Sequence, residues 1–515
     1  MKKSEKDNII VKKKIKGGVC LKRITALFLS VVLLTLSFSA CGSDFLTAYI
    51  YFNLNEPPVS VDPQTASSDS ELLIVRNMYE GLLRRSDSGA VVCGACETFS
   101  KNGLTYTFKL RDGLKWSDGT DITANDFVFG IKRAILPETG SPFASRLFAI
   151  ANAKEINSGK ADISSLGVFS ADDKTVTVTL SYDDPDFKAA LTTAPAMPCN
   201  EEFFENSLGK YGREKDYTLS NGSYYMGKWN KEDFGIRLYR NSHYKGDFES
   251  QNAAVFLSVS EEETPSELLE KNSVDMSFVS GTEIKNAERK GMKISSVNNT
   301  CWVLTMGSDL SPELKKAICM ATSPDKLKSK LSPGFTPANS LYPKILGAGN
   351  GVNAAGILGY DIEEAKNLVR SAVGKNEEKK FPSSTLYYYD DENIKPFVTA
   401  MVGHWQQNLS AFVNIEPATS LDNIRKELTD KKLNFAVFPI KANSVSVCEY
   451  LKLFGVNSSS ADIDTASTQL SLLKNYSLLP LAFENTCIAS DSELSGVYVD
   501  TQNGYIDFSF IMKDN

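Results

Sequence analysis

The chain has 515 residues, with 56 Lys or Arg against 63 Asp or Glu and only two histidines, His243 and His404. That length accommodates about three domains of ordinary size and a cleft between them. The acidic balance argues against nucleic acid as a partner, and two isolated histidines offer little for His-based acid–base or metal chemistry.

In chain order, nine basic residues between Lys2 and Arg23 precede an apolar run from Ile24 to Phe38, which ends in Ser39, Ala40 and Cys41. A basic region, an apolar stretch and small residues before a cut make a bacterial export signal over 1–40. The alternative, a membrane anchor, needs roughly 20 apolar residues and the run is shorter. Beyond residue 40, 47 basic residues face 61 acidic ones, a net charge near −14. Seven cysteines follow Cys41, an odd count that cannot be a complete set of internal disulfides. Cys93-Gly94-Ala95-Cys96 has no second such pair, which favours small packed residues or one local disulfide over a metal site.

A strand is expected from Thr47 to Leu54, then a Pro-rich break around Pro57, Pro58 and Pro63. A helix from about Ser70 sets Leu72, Val75, Met78 and Leu82 on one face and closes near Gly81 to Arg85. From Gly103 to Phe129 the pattern is denser. Leu104, Tyr106, Phe108 and Leu110 alternate with polar residues as in a half-buried strand, and Asp112-Gly113 and Asp118-Gly119 bracket a short strand at Leu114 to Trp116. Thr123 precedes Asp126 by three, a capping-box-like start, and Phe127, Ile131 and Ile135 follow at spacing four. Further on come a loop from Pro137 to Pro142, a helix from Ala144 and a strand from Thr175 to Leu180. Helices Asp361 to Val373 and Asp391 to Leu409 alternate with strands Ser384 to Tyr389 and Asn434 to Pro439, so the class is α/β with mixed sheets covered by helices. Trp116, Trp229 and Trp405 are expected in the core, and the pairs Asp183-Asp184 and Asp390-Asp391 in solvated turns. Two SxxK tetrads lack any partner motif, and no GxSxG, HExxH or phosphate-loop pattern occurs, so neither an enzyme nor a cofactor or metal is expected.

One resemblance orders these motifs. Asp62-Pro63-Gln64-Thr65-Ala66-Ser67, Arg76 to Leu82, Gly103 to Phe129, Thr139 to Ala144, Asn221-Gly222-Ser223-Tyr224 and Tyr360 to Leu368 follow one another as in the extracellular solute-binding proteins of the peptide and nickel class of ABC importers, family 5, with the oligopeptide-binding branch nearest. The resemblance implies a two-lobed periplasmic-binding-protein-like clamp of type II, the large three-domain variety, with the chain crossing between lobes twice. By that analogy the first lobe is discontinuous over 45–65, 218–298 and 486–515, a middle domain spans 66–217, and the second lobe spans 299–485 and is shortened near 455–478. It also implies a lipid anchor on Cys41 and a place on the outer face of the cytoplasmic membrane, or in the periplasm of a cell with an outer membrane. The implied partners are a peptide or other small solute and the permease and ATPase subunits, with the binding protein itself a monomer.

The same resemblance points to Glu56, Tyr224, Trp302, Val303, Ile440 and Asn443 as residues that meet the ligand. Glu56 also reads as a solvated loop acid, Tyr224 as a packed tyrosine, and Trp302 and Val303 as core. Ile440 to Phe454 aligns with the family run W-x-A-D-Y-P-D-P-x-x-F-L-x-x-F, with Ile440 in place of Trp and Asn443 in place of the acid that pairs with a peptide's α-ammonium. An amide offers no net charge to an ammonium, and charged hydrogen bonds contribute roughly 1.5 to 3 kcal/mol against about 1 for neutral ones. The implied function is capture of oligopeptides or a related small solute by hinge closure and delivery to the permease. The alternative is a surface receptor on the same fold that no longer transports.

Overall fold

Two long strands, Lys293–Met306 and Leu478–Ser490, pair antiparallel from Lys293 opposite Ser490 to Thr305 opposite Leu478. They are seen in a computed structural model that describes residues 48–515 apart from 231–234, 261, 347–352, 375–379, 419, 421–423, 425–433, 443–446, 455, 457–463, 500–505 and 514–515. The expected export signal, Cys41 and Asn443 therefore lie outside the described residues.

The pair forms the middle of an eleven-stranded mixed sheet. On one side, Met276–Val279 pairs antiparallel with Leu478–Ser490, and Tyr49–Asn53 and Ala254–Ser258 continue in parallel. The antiparallel strands Gly235–Arg240 and Tyr224–Asn230 complete that side. On the other side, Phe435–Lys441 runs antiparallel to Lys293–Met306, and Ser384–Tyr389 and Val413–Ala418 follow in parallel. A separate four-stranded antiparallel sheet holds Cys96–Asn102, Thr105–Leu110, Thr175–Thr179 and Val168–Asp172, in that order.

The apolar side chains gather into two large cores, and the long strands pass from one to the other. Phe52, Trp116, Phe127, Val297, Ile488 and Phe508 belong to the first. Cys301, Trp302, Phe397, Trp405, Phe435 and Phe483 belong to the second. The changeover falls between Val297 and Cys301 on one strand and between Phe483 and Ile488 on the other. The ladder shifts register there, between Asn298 and Thr300 and again between Trp302 and Val303. Asn299 is fully buried at the first shift, where its Oδ1 accepts from the hydroxyls of Thr300 at 3.2 Å and Thr486 at 3.1 Å. A bulge bends and twists a strand locally, so the sheet is irregular where it passes between the cores.

Within Gly103 to Phe129 the local chemistry sets the elements. Tyr106, Phe108 and Leu110 of strand Thr105–Leu110 are buried, while Lys109 is exposed. Gly113 and Gly119 take φ of +69° and +90° in the two turns, a region that favours glycine. Helix Ala124–Ile135 starts at the Thr123–Asp126 capping box and buries Phe127, Ile131 and Ile135, each burial contributing about 1.5 to 3 kcal/mol. Three expectations are corrected. Leu114 to Trp116 makes only an isolated bridge between Lys115 and Asp121. The expected helix from Ala144 is a single 3-10 turn, Ala144–Leu147, because left-handed Gly140 and Asn152 bound the segment. The helix expected from Ser70 to beyond Gly81 is Asp69–Met78, and Leu83–Arg85 is a strand paired with Val91–Cys93.

That last helix begins earlier because Ser68 and Glu71 form a capping box. The buried Glu71 carboxylate does more than cap. Its Oε1 accepts from the amides of Val59 and Ser60 at 3.0 and 2.9 Å, and its Oε2 from those of Ser67 and Ser68 at 2.9 and 3.2 Å. One side chain thus ties both ends of the Pro-rich loop to the helix N-terminus, whose dipole favours the negative charge. Far along the chain, Arg84 bridges Glu80 at 2.8 Å and also pairs with Asp507, fastening the C-terminal segment to the first core. Cys93 and Cys96 bring their Sγ atoms to 3.1 Å with both thiols free.

Glu71→Ala removes the acceptor of four part-buried amide donors at once, and each lost hydrogen bond costs about 1 kcal/mol. Denaturant melts are expected to show a loss of at least about 3 kcal/mol, with Glu71→Gln losing less. A neutral Glu71→Ala would show that water replaces the carboxylate without cost.

Candidate functional site

Where the long strands change cores, the structure holds a cavity of about 930 Å³ lined from both sides of the sheet. This falls within the range of small-molecule sites. Asn55, Asp69, Phe278, Val279, Ser280 and Glu283 come from the first-core side. Tyr389, Asp391, Phe438, Pro439, Ile440 and Lys441 come from the second-core side. The floor is the strand pair itself, through Thr300, Trp302 and Glu484 to Cys487.

The elements aim these groups for identifiable reasons. Asp69 is the first residue of helix Asp69–Met78, and its carboxylate meets Lys441 Nζ at 2.6 and 2.7 Å. Lys441 ends strand Phe435–Lys441, so this ion pair bridges the two sides across the cavity. Both partners are partly exposed, and such pairs contribute about 0 to 1 kcal/mol. A second approach is steric. Gly281 sits at φ +52°, and a Cβ there would lie 1.9 Å from Asn393 Oδ1, so only glycine lets the two sides come this close. Asp391 accepts from the Asn393 amide at 2.7 Å in a turn after strand Ser384–Tyr389, which holds it at the cavity wall and delays helix Lys395–Leu409 beyond its expected start.

Trp302 is buried among Phe335 and Tyr389, with ring centroids at 6.4 and 6.3 Å, and its Nε1 donates to Glu484 Oε2 at 2.7 Å. Among the described residues this is the only side-chain hydrogen bond to Glu484. Burial pushes the Glu484 carboxyl up to about 7. Asp391 and Asp69 add to the rise by repulsion, while the Trp302 N–H and Lys441 oppose it.

The residues expected to meet the ligand are distributed unevenly around this cavity. Trp302 and Ile440 line it. Val303 is fully buried in the second core, and Tyr224 is buried in the first, with its hydroxyl 2.5 Å from Ser250 Oγ and 3.3 Å from Phe508 O. Glu56 is exposed in a bend and its neighbour Asn55 is the lining residue. Asn443 lies outside the described residues. Sequence reasoning did not single out Asp69, Lys441 or Glu484, and it placed Asp391 in a solvated turn, whereas Asp391 lines the cavity. The motif Ser68-x-x-Glu71 was the one signal that could have set Asp69 at a helix start. No spacing joins it to Lys441, 372 residues away.

The profile of the "Bacterial extracellular solute-binding proteins, family 5 Middle" matches residues 74–462. The chain belongs to this family. It is 29% identical over 325 residues to the dipeptide-binding protein of Lactococcus lactis subsp. cremoris, 59% of each chain. It is also 29% identical over 374 residues to the periplasmic oligopeptide-binding protein OppA of Salmonella typhimurium, 69% of this chain and 68% of that one. Against three curated relatives the alignments cover 59, 34 and 35% of the relative's own length. Among solved structures, Haemophilus influenzae OppA in complex with RPPGFSPFR superposes with a TM-score of 0.76 at 20% identity, covering 91% of this chain and 99% of that one. That likeness shows the mixed α/β binding-protein fold. Among the described residues no helix is long and apolar enough to cross a membrane.

The raised Glu484 pKa has a signed consequence. The unfolded state ionises near the ordinary value of 4.5 and the folded state near 7, so stability is complete below about pH 4, falls as pH rises toward 7 and levels above it. Glu484→Gln is expected to flatten this slope in denaturant melts at pH 5 and pH 8; an unchanged slope would place the acidity elsewhere. By contrast, Lys441→Met is expected to shift the thermal midpoint by no more than a degree or two, consistent with an exposed bridge of about 1 kcal/mol or less.

Proposed function

We propose that this solute-binding protein captures oligopeptides, or a related small solute, between the two sides of its sheet and hands them to a membrane permease powered by an ATPase. The observation that carries the reading is an open strand edge on the cavity. Strand Phe435–Lys441 pairs with Ser384–Tyr389 only through Phe435, Ala436 and Val437. From Phe438 to Lys441 that edge has no ladder partner among the described residues, and all four residues line the cavity. An extended peptide can add to such an edge through main-chain hydrogen bonds while its side chains enter flanking space. The names of the relatives, dipeptide-binding and oligopeptide-binding proteins, support the same reading.

In this reading the lobes follow the boundaries expected from the sequence, and Cys41 carries a lipid that holds the protein at the outer face of the cytoplasmic membrane. The Trp302 and Ile440 side chains touch the ligand, and Asn443 lies near them along the same chain run. Closure is ligand-dependent because the contacts that join the two sides without ligand are weak, a half-exposed ion pair and a glycine approach. A ligand that touches both sides supplies the difference in free energy between open and closed states.

Calorimetric titration with short peptides tests this. Pairing to a strand edge uses alternate amides, so N-methylation is expected to weaken binding about fivefold at alternate positions and little between them, the worth of one hydrogen bond. Uniform insensitivity to N-methylation, or binding of sugars with no peptide bound, would overturn the peptide reading.

A further inference from the structure

The cavity is charged in one sense. Among the described lining residues, Asp69, Glu283, Asp391 and Glu484 are acids and Lys441 is the cation. Lys441 already spends its charge on both oxygens of Asp69. Glu283 accepts from the Ser266 amide at 3.0 Å and from Asn286 Nδ2 at 2.8 Å. Glu484 differs from these, because its Oε2 takes the Trp302 indole N–H, and among the described residues its Oε1 has no hydrogen-bond partner and no cation lies within ion-pair distance. A partly buried carboxylate without a close counter-ion is costly, and among the described residues Lys441 acts on it only from beyond ion-pair distance. Trp302 and Tyr389, whose rings pack against each other, line the cavity beside it.

We propose that Glu484 is the specificity-determining acid of this cavity and that the site selects ligands carrying a positive charge, an ammonium or a guanidinium, which pairs with Glu484 Oε1 at the cavity floor with Asp391 as the second acid. The proposal rests on the cavity being the ligand site, and it adds the class of ligand. The cation comes either from a peptide's free α-amino group or from a lysine or arginine side chain. The chemistry at Glu484 is the same in both cases. The groups that face Glu484 are Asp391, Lys441 and Asp69, with Cys487 on its own strand. Because burial holds the carboxyl near 7 in the free protein, pairing with a cation drives a proton off below that pH.

The test uses the full chain and four tripeptide probes in calorimetry: trialanine amide, its N-acetyl form, N-acetyl-alanyl-lysyl-alanine amide and the norleucine analogue of the last. At pH 8 a cationic probe is expected to bind about tenfold tighter than its neutral counterpart, the difference between a charged and a neutral hydrogen bond. The α-amino arm and the lysine arm tell which cation is used. In wild type at pH 6, titrations in buffers of different ionisation enthalpy are expected to show proton release. Glu484→Gln is expected to lose both the preference and the proton release, and Asp391→Asn to reduce the preference. Cadaverine and agmatine against pentanol separate the two readings: if no peptide binds but these amines bind and need Glu484, the peptide reading fails and the charge assignment holds. Should Glu484→Gln keep the wild-type preference, or should neither peptides nor amines prefer the charged form, the assignment of Glu484 is wrong.

Discussion

The antiparallel pairing of Lys293–Met306 with Leu478–Ser490 is the constraint on which the rest depends. Backbone amides and carbonyls must be paired when buried, and one continuous ladder satisfies them while the strands leave one apolar core and enter another. A register break bends and twists a ladder locally, and the two shifts lie at Asn298 to Thr300 and Trp302 to Val303. The cavity floor includes Thr300, Trp302 and Glu484, so register breaks of the long ladder and the site coincide. In the proposed closure the floor of the site is itself the connection between the two sides.

Magnitudes decide how such a clamp is controlled. Each core buries many large side chains at about 1.5 to 3 kcal/mol apiece, so neither rearranges when the sheet flexes. Across the mouth the balance is different. The Lys441–Asp69 pair is half exposed and contributes about 0 to 1 kcal/mol, which is too little to hold the protein shut on its own. Desolvation at the partly buried Glu484 opposes its ionisation, and under the proposal this is where a cationic ligand relieves it.

What the sequence made legible follows from how local each determinant is. The Gly103 to Phe129 stretch was readable almost entirely, since alternation, Asp-Gly turns and a capping box are set by near neighbours. Strand Ser384–Tyr389 and helix Ile362–Val373 were readable for the same reason. Leu114 to Trp116 misled because its apolar residues serve packing, with Trp116 wholly buried, and only one bridge forms there. The cavity was half legible. Trp302 and Ile440 came from motif positions, whereas Asp69, Asp391, Lys441 and Glu484 meet only because four distant segments converge on one sheet. Charged residues in turns and at strand ends look solvated in a sequence, and convergence of this sort leaves no periodic trace.

Ligand-dependent closure about the paired strands is the central claim, and a distance across the mouth measures it directly. Lys285 and Lys395 are exposed on the first-core and second-core sides, so spin labels on Lys285→Cys and Lys395→Cys report the opening without touching the cavity. Electron–electron dipolar spectroscopy is expected to show a broad distance distribution in the free protein, which narrows and shortens when a bound peptide is added. A distribution that is identical with and without ligand, at concentrations where calorimetry shows saturation, would contradict the account.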